Sequence, residues 1–263
     1  MYRYLALVSL LVLSCTTTAG TGRRQFIILS LEEEMQMGRQ AYREVVETSK
    51  ETILRNGTEV EMLRRVGEDI AYAAQIWEAD PKVRKLARRF DWEFTLIEDD
   101  ETVNAFVLPG GKCVVYTGLL GVTENEDGLA VVLGHEVSHA ILRHGGERVS
   151  QSMALGAGLL LADSLWDAND EEKKENTMIA LGLGAEFGVI LPFSRSHESE
   201  ADEFGLYLAA SAGYNPQEAI PLWQRMAEEG SSVPEFLSSH PSEDTRIQRL
   251  EKVMPKALEL YAK

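Results

Sequence analysis

With 263 residues, 44% of them hydrophobic and 26% charged, the chain has an ordinary globular composition that suits one large domain. Its net charge of −16 leaves no basic surface with which to neutralise phosphates, which argues against a nucleic-acid partner. The interior holds no linker rich in Pro, Gly or Ser and no fixed-period repeat, so a single folded unit is expected.

The chain opens with a positive charge at Arg3 and an apolar run from Leu5 to Leu13. That run is too short to span a bilayer and suits the core of a signal peptide. It ends Leu13-Ser14-Cys15. A small residue before a cysteine, after such a core, resembles the bacterial lipoprotein processing box. The resemblance implies cleavage after residue 14 and lipidation of Cys15. With Thr16 rather than Asp following, it further implies a periplasmic protein anchored in the outer membrane. Later cleavage near Ala19, giving a soluble periplasmic or secreted protein, is the alternative. The expected layout is a signal peptide over 1–14, a polar tether over 15–28 and one folded domain over 29–263. Cys113 is the other cysteine of the chain, so a lipidated Cys15 leaves no intramolecular disulfide. Cys113 is expected as a small buried strand residue.

Helix-start signals follow in order. Ser30-x-x-Glu33 and Thr58-x-x-Glu61 read as capping boxes opening helices over about 31–54 and 59–78. Pro81 opens a short helix reaching Arg89. From Asp91, DWEFTLIED alternates apolar and polar residues as a half-buried strand does. VNAFVLPGGKCVVYTGLL then places a Pro-Gly-Gly turn between β-branched and aromatic residues, which predicts a hairpin. Thr123-x-x-Glu126 reads as the cap of the next helix, running to about His144. Two apolar stretches, 153–165 and 178–193, fall short of a membrane span and read as buried helices around a polar loop. Ser196 is expected to cap a helix through Ala212, with further helices near 216–229 and 243–262.

The helix from about residue 126 carries LGHEVSHAILRH, with three of the chain's five histidines. On a helix, His135 and His139 lie about 40° apart and Glu136 about 100° from His135, so the three share one face. Two imidazoles one turn apart can hold one Zn²⁺. The intervening carboxylate cannot also reach the ion, and its position suits a general base acting on water. The flanking apolar residues bury this face, where such groups are costly unless something satisfies them. A catalytic zinc needs a third protein ligand. His144 would lie about 140° round the same helix and point away. Glu198 and Asp202 share a face of a later helix. Glu198 can be the third ligand, and Asp202 can accept the outer N–H of a ligand histidine. His197 and Glu200 are expected at the surface. The same acidic cluster also suits simple compensation of a helix dipole.

HEVSH paired with ESEAD resembles the gluzincin metallopeptidases. NAFVLPGG (104–111), VYTGLL (115–120), LGHEVSHAILRH (133–144), LPFSRSHESEADEFG (191–205) and SHPSEDTRI (239–247) together resemble one family within them. That family is the HtpX-type and CAAX-prenyl-protease peptidases, especially its soluble periplasmic BepA-like and LoiP-like branch. The resemblance implies an α+β fold: a mainly helical zincin domain with a small sheet flanking the active-site helix. It implies one zinc on His135, His139 and Glu198, with Glu136 as catalytic base and Asp202 behind the ligands. It implies an edge strand at Asn104, Ala105 and Phe106 on which an extended substrate pairs. In SHPSEDTRI, His240 can stabilise an oxyanion or sit on the open zinc position, and Arg246 is the other oxyanion candidate. A loop bonded to the last helix is the plain alternative for both.

The activity expected is zinc-dependent endoproteolysis of unfolded or misassembled envelope proteins, with outer-membrane proteins among the partners and a lipid anchor to the membrane. The rival is a chaperone-like assembly factor at the outer membrane, whose zinc is closed off by His240. A zinc hydrolase acting on something other than peptides is a weaker rival.

Overall fold

A computed structural model of the chain describes residues 15–165, 195–228, 236, 240 and 245–262. The signal peptide expected over 1–14, the apolar stretch 178–193 and the polar run before it lie outside these residues. Cys15–Thr17 (β1) pairs antiparallel with Arg24–Phe26 (β2), Cys15 opposite Phe26. Leu31–Thr48 (α1) begins at Ser30, whose side chain accepts from the Glu33 N–H while the Glu33 carboxylate accepts from the Ser30 N–H. The predicted capping box is therefore present. Thr58–Ile76 (α2) instead starts after Gly57 at φ 118, with no side-chain cap. Pro81–Ala87 (α3) is capped by Asp80.

Ile53–Leu54 (β3), Glu93–Ile97 (β4), Ala105–Leu108 (β5) and Lys112–Tyr116 (β6) form one sheet in the order β3-β4-β6-β5. β4 and β6 are parallel and the outer pairs antiparallel. The chain passes β4 to reach the far edge, descends β5 and returns through Pro109-Gly110-Gly111 into β6. Gly110 and Gly111 stand at φ 92 and 94, a region open to glycine without strain. The predicted hairpin is thus formed, and it leaves β5 on the edge. Cys113 sits in β6, fully buried.

Thr117–Thr123 (α4) precedes Glu126–Ile141 (α5). The cap of α5 is Asn125, whose side chain accepts from the Gly128 N–H at 2.9 Å, not the expected Thr123. Thr123 ends α4 and donates its hydroxyl proton back to the Leu120 carbonyl. Every residue of α5 from Gly128 to Ile141 is buried. The helix stops there because Arg143 takes φ 58, and His144–Leu165 (α6) starts afresh. Arg195–Ser211 (α7), a 3-10 turn at Pro216–Glu218, Ala219–Glu228 (α8) and Arg246–Tyr261 (α9) complete the described chain.

α5 packs most extensively on α7. At their crossing Gly134 faces Gly205, and a Cβ on Gly134 would lie 2.5 Å from the Gly205 carbonyl oxygen. The sheet, α2 and α7 enclose α5 with Leu63, Val66, Val115, Leu133, Val137, Phe204 and Leu208.

The expected tether over 15–28 is folded against this body. Thr18, Ala19 and Gln25 are buried, and the Gln25 amide donates to the Leu142 carbonyl. Arg23 reaches Glu147 on α6 and Glu200 on α7. All of these partners are far along the chain, so the local polarity of the segment concealed them. Among the described residues no helix is long and apolar enough to cross a membrane.

Candidate metal centre

Two elements that meet at the glycine crossing supply most of the centre. α5 presents His135 and His139 one turn apart, as the spacing predicts. α7 presents Glu198 and Asp202 from its first two turns. His240 enters from outside any helix. Donor atoms of His135, His139, Glu198 and His240 all lie within 4.8 Å of one another, and all four residues are buried.

The distances suit a small cation. The two Nε2 atoms of His135 and His139 are 3.0 Å apart, and each is 3.4 Å from a Glu198 oxygen. Nδ1 of His240 is 3.2 Å from the His135 Nε2 and 3.1 Å from Glu198 Oε1. Ligands about 2.0–2.1 Å from a tetrahedral zinc sit about 3.3 Å from one another, so nitrogen and carboxylate donors at these separations fit that ion.

The surrounding charges prepare the donors. Burial pushes the Glu198 carboxyl up, but hydrogen bonds with His135, His139 and His240 hold it well below the usual carboxylate range. It is therefore an anion aimed at the centre. His135 Nδ1 lies 3.0 Å from Asp202 Oδ1. A carboxylate only accepts, so Nδ1 carries the proton and Nε2 is left with its lone pair toward the cluster. Asp202 thus lies where it can orient that ring.

Glu136 is 1% exposed, and neither carboxylate oxygen has a hydrogen-bond partner among the described residues. Burial pushes its pKa up, opposed by the nearby His240 and His135. The Nε2 of His240 is 3.5 Å from Glu136 Oε1, so this one ring faces the cluster and the base together. Phe236 stacks on it with ring centroids 4.5 Å apart.

Arg246 reaches the carboxylates of the centre. Its Nε donates to Asp202 at 2.7 Å and its Nη2 to Glu198 at 3.1 Å, while the guanidinium lies 3.7 Å over the Trp223 ring. The cation is thus clamped between two carboxylates and an aromatic face. Asn104 and Ala105 are buried and Phe106 is half-buried, so of the expected edge trio Phe106 alone shows partial exposure.

Three expectations are corrected. His144 does not point away: the break at Arg143 turns it back, with its Nδ1 2.9 Å from the outer nitrogen of His139. His197 is buried and its Nε2 lies 3.0 Å from Glu147. Glu200 is held beneath the β1–β2 hairpin by Arg23 and Thr21. Glycine, the usual signal for such a helix break, is absent at 143, and so the sequence concealed the turn.

With this geometry in place, the comparison with known sequences is decisive: residues 61–254 match Peptidase family M48. The chain belongs to that family. Members of M48 are zinc-dependent metallopeptidases, and the His135, His139 and Glu198 cluster of this M48 chain fits one zinc. It is 36% identical over 240 residues to the mitochondrial metalloendopeptidase OMA1 of Schizosaccharomyces pombe, covering 90% of this chain and 66% of that protein. To the Saccharomyces cerevisiae protein of the same name it is 32% identical over 249 residues, covering 91% and 69%. The beta-barrel assembly-enhancing protease of Yersinia pestis is 32% identical over 166 residues, 60% of this chain and 34% of that protein. The M48 chain thus spans about two thirds of the yeast relatives and about a third of the bacterial one.

These matches overturn the expected location. The yeast relatives, which match over more of the M48 chain than the bacterial protease does, are named as mitochondrial enzymes. The similarity leads away from a lipid-anchored protein of a bacterial envelope.

Proposed function

We propose that the chain is a zinc endopeptidase of the gluzincin type that cleaves extended, unfolded polypeptides. The observation that carries this reading is a buried His135–His139–Glu198 donor set beside Glu136, a buried carboxylate with no hydrogen-bond partner among the described residues. Zinc held by those three side chains would supply Lewis acidity toward a carbonyl and lower the pKa of water near it. Glu136 takes the proton from the attacking water and returns it to the leaving amine. Its burial supports this role, because a raised pKa brings a carboxylate nearer the working range of a general base. Asp202 fixes the ring of His135, and Arg246 holds Glu198 and Asp202 in register. β5, paired on one side with β6, offers an edge for main-chain pairing with substrate. The yeast relatives' names support a mitochondrial setting.

A second reading has its own support. His240 brings Nδ1 to the same point as the three ligands. Four protein ligands make a closed, inert zinc site, so catalysis would require His240 to withdraw. If it never withdraws, the chain is a zinc-containing binding factor rather than a protease.

Incubation of the zinc-loaded chain with casein, beside Glu136→Gln and His240→Ala, tests both readings. Cleavage abolished in Glu136→Gln with zinc retained supports the peptidase. Faster cleavage by His240→Ala supports the plug. Bound zinc without cleavage by wild type or His240→Ala overturns the peptidase reading.

A further inference from the structure

We infer that His144 is a positioning residue for the zinc ligand His139, backed by Glu200 and, through Arg23, by the β1–β2 hairpin. This rests on the zinc site just described.

The two ligand histidines face the cluster through Nε2, so each outer nitrogen, Nδ1, needs its own partner. For His135 that partner is Asp202. For His139 it is another imidazole: His139 Nδ1 lies 2.9 Å from His144 Nδ1. On the far side, His144 Nε2 is 3.1 Å from Glu200 Oε2. Glu200 also accepts from Arg23 Nε at 2.5 Å and from the Thr21 hydroxyl. Arg23 meanwhile bonds both oxygens of Glu147 on α6.

Proton placement in this line has one solution compatible with ligation. The Glu200 carboxylate, facing a guanidinium, is an acceptor, so His144 Nε2 must carry the proton that bridges them. Neutral His144 then has a bare lone pair at Nδ1. His139 must supply the proton at Nδ1, which leaves its Nε2 as a lone pair aimed at the metal position. The reverse placement, with the proton on His144 Nδ1, would force His139 to be protonated at Nε2 and remove it as a ligand. His144 is 0% exposed and stacks on His197 with centroids 4.3 Å apart, so its ring is also held against rotation.

The helix break makes this possible. Had α5 continued, the residue five beyond His139 would face another side. Arg143 at φ 58 ends the helix and folds His144 back behind the ligand. The hairpin then closes over Glu200, so the N-terminal segment is part of the scaffold of the zinc site.

The test is made on the zinc-loaded chain. Histidine-selective ¹⁵N–¹H NMR of wild type is expected to show His139 protonated at Nδ1 and His144 protonated at Nε2 alone. Zinc affinity, read by chelator competition, is expected to fall about 10–100-fold in His144→Phe. His144→Gln, whose amide can both accept from His139 and donate to Glu200, is expected to stay within about threefold of wild type. A proton on Nδ1 of His144 overturns the inference. So does unchanged affinity in a folded His144→Phe. If that variant does not fold, the wild-type tautomer and the rescue by His144→Gln decide. Failure of wild type to bind zinc at all would instead sink the metal site itself.

Discussion

Gly134 and Gly205 touch backbone to backbone where α5 crosses α7, with a Cβ on Gly205 falling 2.6 Å from the His135 nitrogen. The residue after Gly134 is His135, a proposed zinc ligand, and Glu198 lies two turns before Gly205. The crossing distance therefore sets how closely the donors from the two helices approach.

Gly134→Ala or Gly205→Ala is expected to force the helices apart. Overpacking of this kind costs about 1–3 kcal/mol. Denaturant unfolding should show that loss, and chelator competition should show zinc affinity reduced at least about tenfold. Normal affinity in a destabilised variant would mean the crossing serves stability alone.

Arg246 gives a prediction that separates holding ligands from stabilising an oxyanion. Lys cannot bridge Asp202 and Glu198 while stacking on Trp223. Arg246→Lys is expected to lower zinc affinity about tenfold along with cleavage. Arg246→Met leaves two buried carboxylates without their cation and is expected to cost about 3–5 kcal/mol. A fall in kcat with unchanged zinc affinity in Arg246→Lys would instead support the oxyanion role.

The pH dependence of stability has a defined sign at Glu147. Burial pushes its carboxyl up, but His197 and Arg23 hold it well below its ordinary value of 4.5. A depressed acid contributes stability that is complete above its ordinary pKa and is lost as pH falls toward the lowered one. The Tm of wild type should therefore drop more steeply than that of Glu147→Gln as pH falls below about 5, and the gap between them should narrow. Parallel curves would mean the ion pair adds nothing to folding.

Arg143 combines strain with service. Its φ of 58 favours glycine, yet it donates to Glu34 through Nε at 3.1 Å and Nη2 at 2.6 Å, and to the Leu29 carbonyl. Arg143→Gly relieves about 1 kcal/mol of backbone strain but strands the buried Glu34 carboxylate. A net loss of about 2–3 kcal/mol is expected in urea unfolding, because an unpaired buried charge costs more than the strain. A variant as stable as wild type would show that Glu34 finds water or another donor.

The parts of this molecule written in local spacing were legible. The Ser30–Glu33 box, the Pro-Gly-Gly hairpin and the HEVSH face depend on residues a few positions apart, where helix and strand periods act directly. Glu198 and Asp202 were legible for the same reason. What escaped depended on distant partners. The caps are a local exception: Thr58 and Thr123 look like caps, but Gly57 and Asn125 hold those places, and Asn125 accepts from the Gly128 N–H three residues on. Glu200 reads as a surface acid until Arg23 folds over it. Residues 15–28 read as a tether because the carbonyl, carboxylates and apolar side chains that bury them come from much later in the chain. His144 was misplaced by assuming one unbroken helix, and nothing local marks Arg143 as the residue that turns it.

The order of the donors along the chain has a consequence for how the protein is born. His135 and His139 leave the ribosome first, Glu198 some sixty residues later, and Arg246, which clamps Glu198, later again. A nascent chain stopped anywhere between holds half a site, with Gly134 waiting for Gly205. The donor set is therefore incomplete until Glu198 has been made, and a chain stopped before it has no means to cut its neighbours.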